Sequence, residues 1–255
     1  MKTLLIAGGG KFSKKALHFA KKNHYATILI DNDPNCIASK IINTHFQELK
    51  LLLANFDRNS QNSIVFFENN IIIINELLKK IKFEWIIPVI PLHLTALIVK
   101  NFLSSCNIEL VPDGKRCITA TKRINPALLL DSLLQENILY LSYAKQNEVC
   151  PDNCAGPSQY CPNFDREKPI TLTNYLKKIF NVSNNINLSQ ERREVNIVLH
   201  SYQLLPGLGG LKGGEIEEVL AKINKHLDLL RKNNFRLLIA TSCNCHGVVN
   251  FYKIA

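Results

Sequence analysis

The sequence predicts an α/β protein: a parallel-sheet domain followed by a smaller α/β domain that carries cysteines. Three observations predict it. Short apolar runs of strand length alternate with segments of helical periodicity through the first 110 or so residues. A strand, a glycine turn and a helix stand in that order at the start of the chain. Five of the eight cysteines fall in two short stretches of the second half, CPDNCAGPSQYCP (150–162) and TSCNCHG (241–247).

Each element follows from a local pattern. TLLIA (3–7) is a continuous apolar run, the mark of a strand buried on both faces. GGGKFS turns the chain, and residues 12–23 put Phe12, Ala16, Phe19 and Ala20 on one helical face. ATILID (26–31) is the next buried strand, ending in Asp31, and SIVFFE (63–68) is another. A helix is predicted over 72–82, a strand over 84–90, a helix over 92–105 and a strand over 108–111. Residues 114–137 read as a helix broken near Pro126, and ILYLSYA (138–144) as a strand. After the cysteine loop come a helix over 171–180 and a polar stretch, 181–194, with the composition of a linker. VNIVLHS (195–201) is a strand, LPGLGGLKGG (205–214) a glycine-rich turn, and 215–233 a helix with Ile216, Val219, Leu220, Ile223, Leu227 and Leu230 on one face. RLLIAT (236–241) and VVNFYKI (248–254) close the chain as strands. The division expected from this order is 1–137 and 138–255.

Bulk properties narrow the classes. A chain of 255 residues with 46% apolar content can build one large core or two smaller ones. A net charge of +10 favours a small anionic ligand. The basic residues are dispersed, and no nucleic-acid module with interleaved aromatics is present, so no specific nucleic-acid partner is expected. The longest apolar run, WIIPVIPLHLTALIV (85–99), is interrupted by two prolines and too short to span a bilayer, and the N-terminus lacks the features of a signal peptide. No membrane partner and a cytoplasmic location are the expectation. In that reducing compartment, metal binding, chemistry or packing accounts for cysteines better than disulfides.

Two glycine loops and one cysteine constellation are the candidate sites. In the first loop, Gly8, Gly9 and Gly10 would let a phosphate approach the backbone at a helix N-terminus, with Lys11 adding charge and Asp31 accepting from a ribose. That strand–glycine–helix–acid order, with VPDGKRCITATKR further on, resembles the Rossmann-type NAD(P)-binding domains and the pre-ATP-grasp domains of carboxylate–amine ligases, over roughly residues 1–137. The resemblance implies a Rossmann-like domain and NAD(P) or another nucleotide as cofactor. His93 lies just past a central strand, at the edge where such sheets bind ligands, and is the candidate catalytic residue. In the second loop, Ser201, Gln203, Gly207, Gly209, Gly210 and Lys212 form a candidate anion site.

The cysteine loop holds Cys150, Cys154 and Cys161 in a stretch whose Pro, Gly and Asn exclude helix and strand, and no apolar run is at hand to order it. A metal bound by thiolates would order it. Cys243 or Cys245 would complete the set, with His246 joining if a turn intervenes. Zinc and an iron–sulfur cluster both fit; a redox or nucleophilic cysteine is the other chemical reading. The expectation is a nucleotide-binding metalloprotein, an oxidoreductase working on a small anionic substrate in an interdomain cleft. The alternatives are a non-catalytic ligand-binding or sensor protein with a structural zinc, and a pre-ATP-grasp relative lacking the ligase domain.

Overall fold

A computed structural model describes residues 2–232 and 234–255. The chain is α/β and divides into two compact units, one running up to Leu94 and including Leu208–Glu217, the other made of Thr95–Gly207 and Glu218–Ala255.

The first unit is built on a parallel sheet. Strands β1 (Thr3–Ala7), β2 (Ala26–Asp31), β3 (Thr44–Phe46), β4 (Ile64–Glu68) and β5 (Trp85–Pro88) lie in the order β5-β1-β2-β4-β3. All are parallel, with Ile6 beside Leu29 on one side and Ile87 on the other. Leu208–Lys212 adds a strand antiparallel to β5, pairing Leu211 with Ile86. Helices α1 (Ser13–Lys22), α2 (Leu49–Asn55) and α3 (Ile74–Lys80) make the connections. Every residue of β1 is buried, the reason its sequence is a continuous apolar run rather than an alternating one. The helix expected over 72–82 begins two residues later, because the Asn70 side chain accepts the Ile72 N–H and holds Ile71–Ile73 as a 3₁₀ turn.

The second unit is built on a mixed sheet. In chain order it contains α4 (Leu94–Ser105, starting at the boundary), β6 (Leu110–Pro112), α5 (Gly114–Thr121), β7 (Leu129–Leu133), β8 (Ile138–Ser142), the short pair β9 (Tyr160–Cys161) and β10 (Arg166–Glu167), α6 (Leu172–Ile179), β11 (Ile186–Ser189), β12 (Glu194–His200) and β13 (Tyr202–Leu205). The Leu208–Lys212 strand of the first unit is β14, and α7 (Gly213–Lys225), α8 (Leu227–Lys232), β15 (Arg236–Ser242) and β16 (His246–Ile254) follow. The sheet order is β11-β12-β15-β16-β8-β7, with only β12 and β15 parallel, and β6 pairs with the far end of β16. Leu139, Leu141, Val198, Leu238, Val249 and Phe251 of the sheet share a core with Cys117 and Ala120 of α5 and with Leu172 and Leu176 of α6.

Several local expectations change. The division falls at Leu94/Thr95 rather than near residue 137, because β6 pairs with β16 and α5 packs into the second core. The helix expected over 114–137 ends at Thr121; Asn125 and Pro126 start a 3₁₀ turn, and Leu129–Leu133 becomes a strand against β8. The polar stretch 181–194 contains β11, paired register for register with β12 (Ile186 beside Ile197), so it is sheet and not linker. The helix expected over 215–233 is two helices, Gly213–Lys225 and Leu227–Lys232, and its expected end at Asn233 lies outside the described residues.

The glycine-rich turn is also reassigned. Gly207, at φ +72°, makes the turn, and Gly209, Gly210 and Lys212 lie within β14. Gly213 is there for close approach: a Cβ would sit 1.9 Å from the Phe83 carbonyl oxygen.

Candidate metal centre

The second cysteine stretch sits in the tight turn between β15 and β16. Ser242 ends one strand and His246 begins the next, with the Cys243 N–H donating to the His246 carbonyl at 2.8 Å. Inside this turn the backbone N–H groups of Cys245 and His246 both point at Cys243 Sγ, at 3.4 and 3.3 Å. In the other stretch the Gly156 N–H points at Cys154 Sγ at 3.3 Å, and Asn163 Nδ2 approaches it at 3.6 Å. At Cys243 these N–H bonds favour the thiolate, the form that ligates metals.

The two stretches meet. Cys150 Sγ lies 3.3 Å from His246 Nε2, across 96 residues of chain, and Cys243 Sγ lies 3.8 Å from His246 Nδ1. Burial pushes the Cys150 thiol up to about 11, and the neighbouring Cys154, Cys161, Cys245 and Cys243 push in the same direction. The other four predicted cysteines thus lie close enough to Cys150 to act on it. Burial also raises Cys245, against the opposing pull of Lys168, with Cys243 adding to the rise. Cys243 behaves differently: burial pushes it up, but the His246 side chain and the two backbone N–H groups outweigh this and hold it below the ordinary thiol value. Among the described residues no three Cys, His, Asp or Glu side chains stand in the arrangement of a bound ion. The thiols form a gathered set, not a closed coordination shell.

Sequence reasoning missed Lys168. It is only 2% exposed, and its ammonium donates to the Pro157 carbonyl and, at 2.9 Å, to Cys245 Sγ. Among the described residues no carboxylate pairs with it. A lysine between Glu167 and Pro169, in an otherwise charged stretch, carries no sequence signal. Glu148 was missed as well: its carboxylate takes a two-pronged bond from Arg166 at 2.8 Å, which holds it down at about 2 and pins the start of the cysteine loop.

The premise that nothing but a metal can order the loop is corrected. Gln203 Nε2 and the Gly207 N–H both donate to the Cys154 carbonyl, at 3.1 and 2.8 Å, and Asn244 Nδ2 donates to the Gly156 carbonyl at 2.8 Å. Two members of the expected anion loop, Gln203 and Gly207, thus brace the cysteine loop. Ser201 ends up in a pocket beside Cys243, while the main chain of Lys212 is paired in the first unit's sheet and its ammonium lies 4.0 Å from Glu215.

In the first unit the Gly8–Gly10 turn is occupied by its own chain. The Gly9 N–H donates to Asp31 Oδ2 at 2.6 Å and the Asp33 N–H to Asp31 Oδ1 at 2.8 Å, so both carboxylate oxygens are engaged locally. A Cβ on Gly9 would meet Cys36 Sγ at 2.3 Å, and one on Gly8 would meet Ile90 and the Val89 carbonyl within 3 Å. Lys11 lies over the Phe12 ring. His93 is half-buried in the connection from β5 to α4. Among the described residues no helix is long and apolar enough to cross a membrane.

Fold and site together define a two-unit α/β protein with a cysteine-rich second unit. The chain belongs to the AF_1314 family: its models, described as the N-terminal and C-terminal domains of an uncharacterized protein, match residues 4–94 and 98–255. It is 30% identical to a protein of Archaeoglobus fulgidus, itself described as uncharacterized, over 98% of this chain and 99% of the relative. No solved structure matches. The resemblance to NAD(P)-binding Rossmann and pre-ATP-grasp domains is thereby corrected: the matching models are those of a separate family, and their junction at residues 94–98 coincides with the boundary between the units. Here the acid serves the connection itself, Asp31 accepting from the Gly9 and Asp33 N–H groups, so the glycine–acid order does not identify a nucleotide-binding family.

Proposed function

We propose that the protein is a metalloprotein whose second unit binds a thiophilic metal through Cys150, Cys154, Cys161, Cys243 and Cys245, and that it acts as an oxidoreductase when that metal is iron. The observation that carries the reading is the meeting of the two cysteine segments, 96 residues apart, at His246, which lies 3.3 Å from Cys150 Sγ and 3.8 Å from Cys243 Sγ. Three of the five, Cys150, Cys154 and Cys243, are only partly buried, which is not the pattern of cysteines serving as small core residues. Lys168 supports it further. Taking an ammonium out of water costs several kcal/mol, and the negative charge of a metal–thiolate centre would offset that where no carboxylate does. Sulfur donors suit zinc and iron–sulfur clusters alike. The reading rests on the second unit; in the first, close packing surrounds Gly8 and Gly9 but not Gly10.

Elemental analysis and absorption spectra of protein purified without oxygen test the proposal. The expected result is a stoichiometric metal, with absorption around 400 nm if it is iron–sulfur. Cys154→Ser should lose it, and Cys106→Ser, outside the cluster, should keep it. Metal-free wild-type protein, or a Cys154→Ser variant with full metal, refutes the reading. A metal-free protein rapidly alkylated at Cys243 would instead support the nucleophilic cysteine.

A further inference from the structure

A pocket of about 370 Å³ opens in the second unit beside the cysteine turn, and Cys243 and His246 are among the residues that line it. The volume is at the low end of the range for small-molecule sites. Leu130, Leu141, Val248 and the Tyr140 ring supply the pocket's apolar lining. Tyr140 and Val248 stand directly opposite each other on β8 and β16, so their side chains share a face. Leu130 joins them because the β7–β8 register shifts between Leu129 and Asp131, which turns this one extra residue toward the same face.

The polar groups of the pocket are few, and some are already spent. Thr241 Oγ1 shares a hydrogen bond with Thr95 Oγ1 at 2.8 Å, and Ser242 Oγ donates to Thr173 Oγ1 at 3.0 Å. The Ser201 hydroxyl also lines the pocket and has no hydrogen-bond partner among the described residues. No Lys, Arg, Asp or Glu is among the lining residues. Away from Cys243 and His246, such a lining offers little to offset the desolvation of a charged ligand.

We infer that this pocket is the substrate site of the metal centre, and that it takes a small uncharged molecule with an apolar body and a single hydroxyl or thiol end directed at Cys243 and His246. The inference rests on the metal reading above, and it departs from the anionic ligand that the net charge suggests. The apolar body lies along Leu130, Tyr140 and Val248, and the Ser201 hydroxyl holds the polar end.

The test uses the full chain as purified without oxygen, with benzyl mercaptan, benzyl alcohol and benzoate as probes in calorimetry. The two neutral probes should bind saturably, and benzoate on the order of tenfold more weakly or worse, since no lysine or arginine lines the pocket and a metal–thiolate centre is itself negative. Val248→Trp and Leu130→Trp, which fill the pocket from two sides, should each abolish binding of the neutral probes while metal content stays unchanged. Either variant that keeps its circular-dichroism spectrum suffices for the comparison. Equal binding of benzoate, absence of neutral-probe binding to metal-loaded protein, or unchanged binding in a folded pocket-filled variant overturns the inference. Metal analysis on the same samples separates the two ideas: metal without probe binding sinks only the pocket, and pocket-dependent probe binding without metal sinks the metal centre and with it the pocket's role as its substrate site.

Discussion

Adding one methyl group at Gly9 tests whether the first glycine turn exists for packing or for a ligand. The new Cβ would lie 2.3 Å from Cys36 Sγ and 3.1 Å from Cys36 Cβ. Carbon and sulfur in contact need well over 3 Å, so Cys36, itself 9% exposed, must move. It is not free to move cheaply. Its N–H donates to the Asp33 carbonyl, its carbonyl accepts from Ser39 Oγ at 2.8 Å, and the neighbouring Ala38 N–H donates to the Gly9 carbonyl at 3.0 Å. Overpacking of this kind costs about 1–3 kcal/mol, or about 3–9 °C of melting temperature at about 3 °C per kcal/mol for a chain of this size. Removing the obstacle should relieve it. Cys36→Ala alone should cost about 1 kcal/mol, and the Gly9→Ala/Cys36→Ala double variant should be more stable than the sum of the singles by about 1–2 kcal/mol. Gly10→Ala is the internal control: nothing lies within 4 Å of its Cβ, so it should fall within about 0.5 kcal/mol of wild type. Urea unfolding followed by circular dichroism measures all four. Additive singles, or a Gly10→Ala variant as damaged as Gly9→Ala, would refute the packing account.

Two further predictions concern the second unit. Asp113 caps α5 through the Arg116 N–H at 3.1 Å and takes two bonds from Arg236, at 2.5 and 3.1 Å; Asp113→Ala should destabilise by about 1–2 kcal/mol, since it removes a cap and one partner of Arg236, whose guanidinium is 40% exposed and stays hydrated. Burial pushes the Asp113 carboxyl up, but Arg236, the Arg116 N–H and the nearby guanidinium charges outweigh it and hold the group below its ordinary value. Its stabilisation is therefore fully present above about pH 4 and is lost as pH falls through the depressed folded value; Asp113→Asn should flatten that part of the acid unfolding curve, and an unchanged curve would contradict it. Lys168→Met should make the centre lose metal to a chelator on the order of tenfold faster, the size of one lost hydrogen bond to a charged group of about 1.5 kcal/mol, and an unchanged release rate would remove Lys168 from the site.

What the sequence by itself determined is the set of signals carried by local chemistry. The buried runs TLLIA and ATILID are adjacent parallel strands, because only a strand covered on both faces has no polar alternation. The two cysteine stretches were legible as partners because thiols concentrated in Pro-, Gly- and Asn-rich loops have little packing use, and the His246 turn that sequence left conditional is present. What only the tertiary structure decided is pairing at long range. That Leu110–Pro112 joins β16, and so moves the unit boundary to Leu94, depends on a partner strand far along the chain that no local window contains. That the glycines at 209 and 210 are strand residues follows from the antiparallel edge of β5, and that Gly9 is required by Cys36 follows from a contact between two turns. Lys168 and Gln203 were hidden for the same reason: a lysine or a glutamine has no periodicity to betray it, and its role is set by which thiol or carbonyl the fold brings within 3 Å or so.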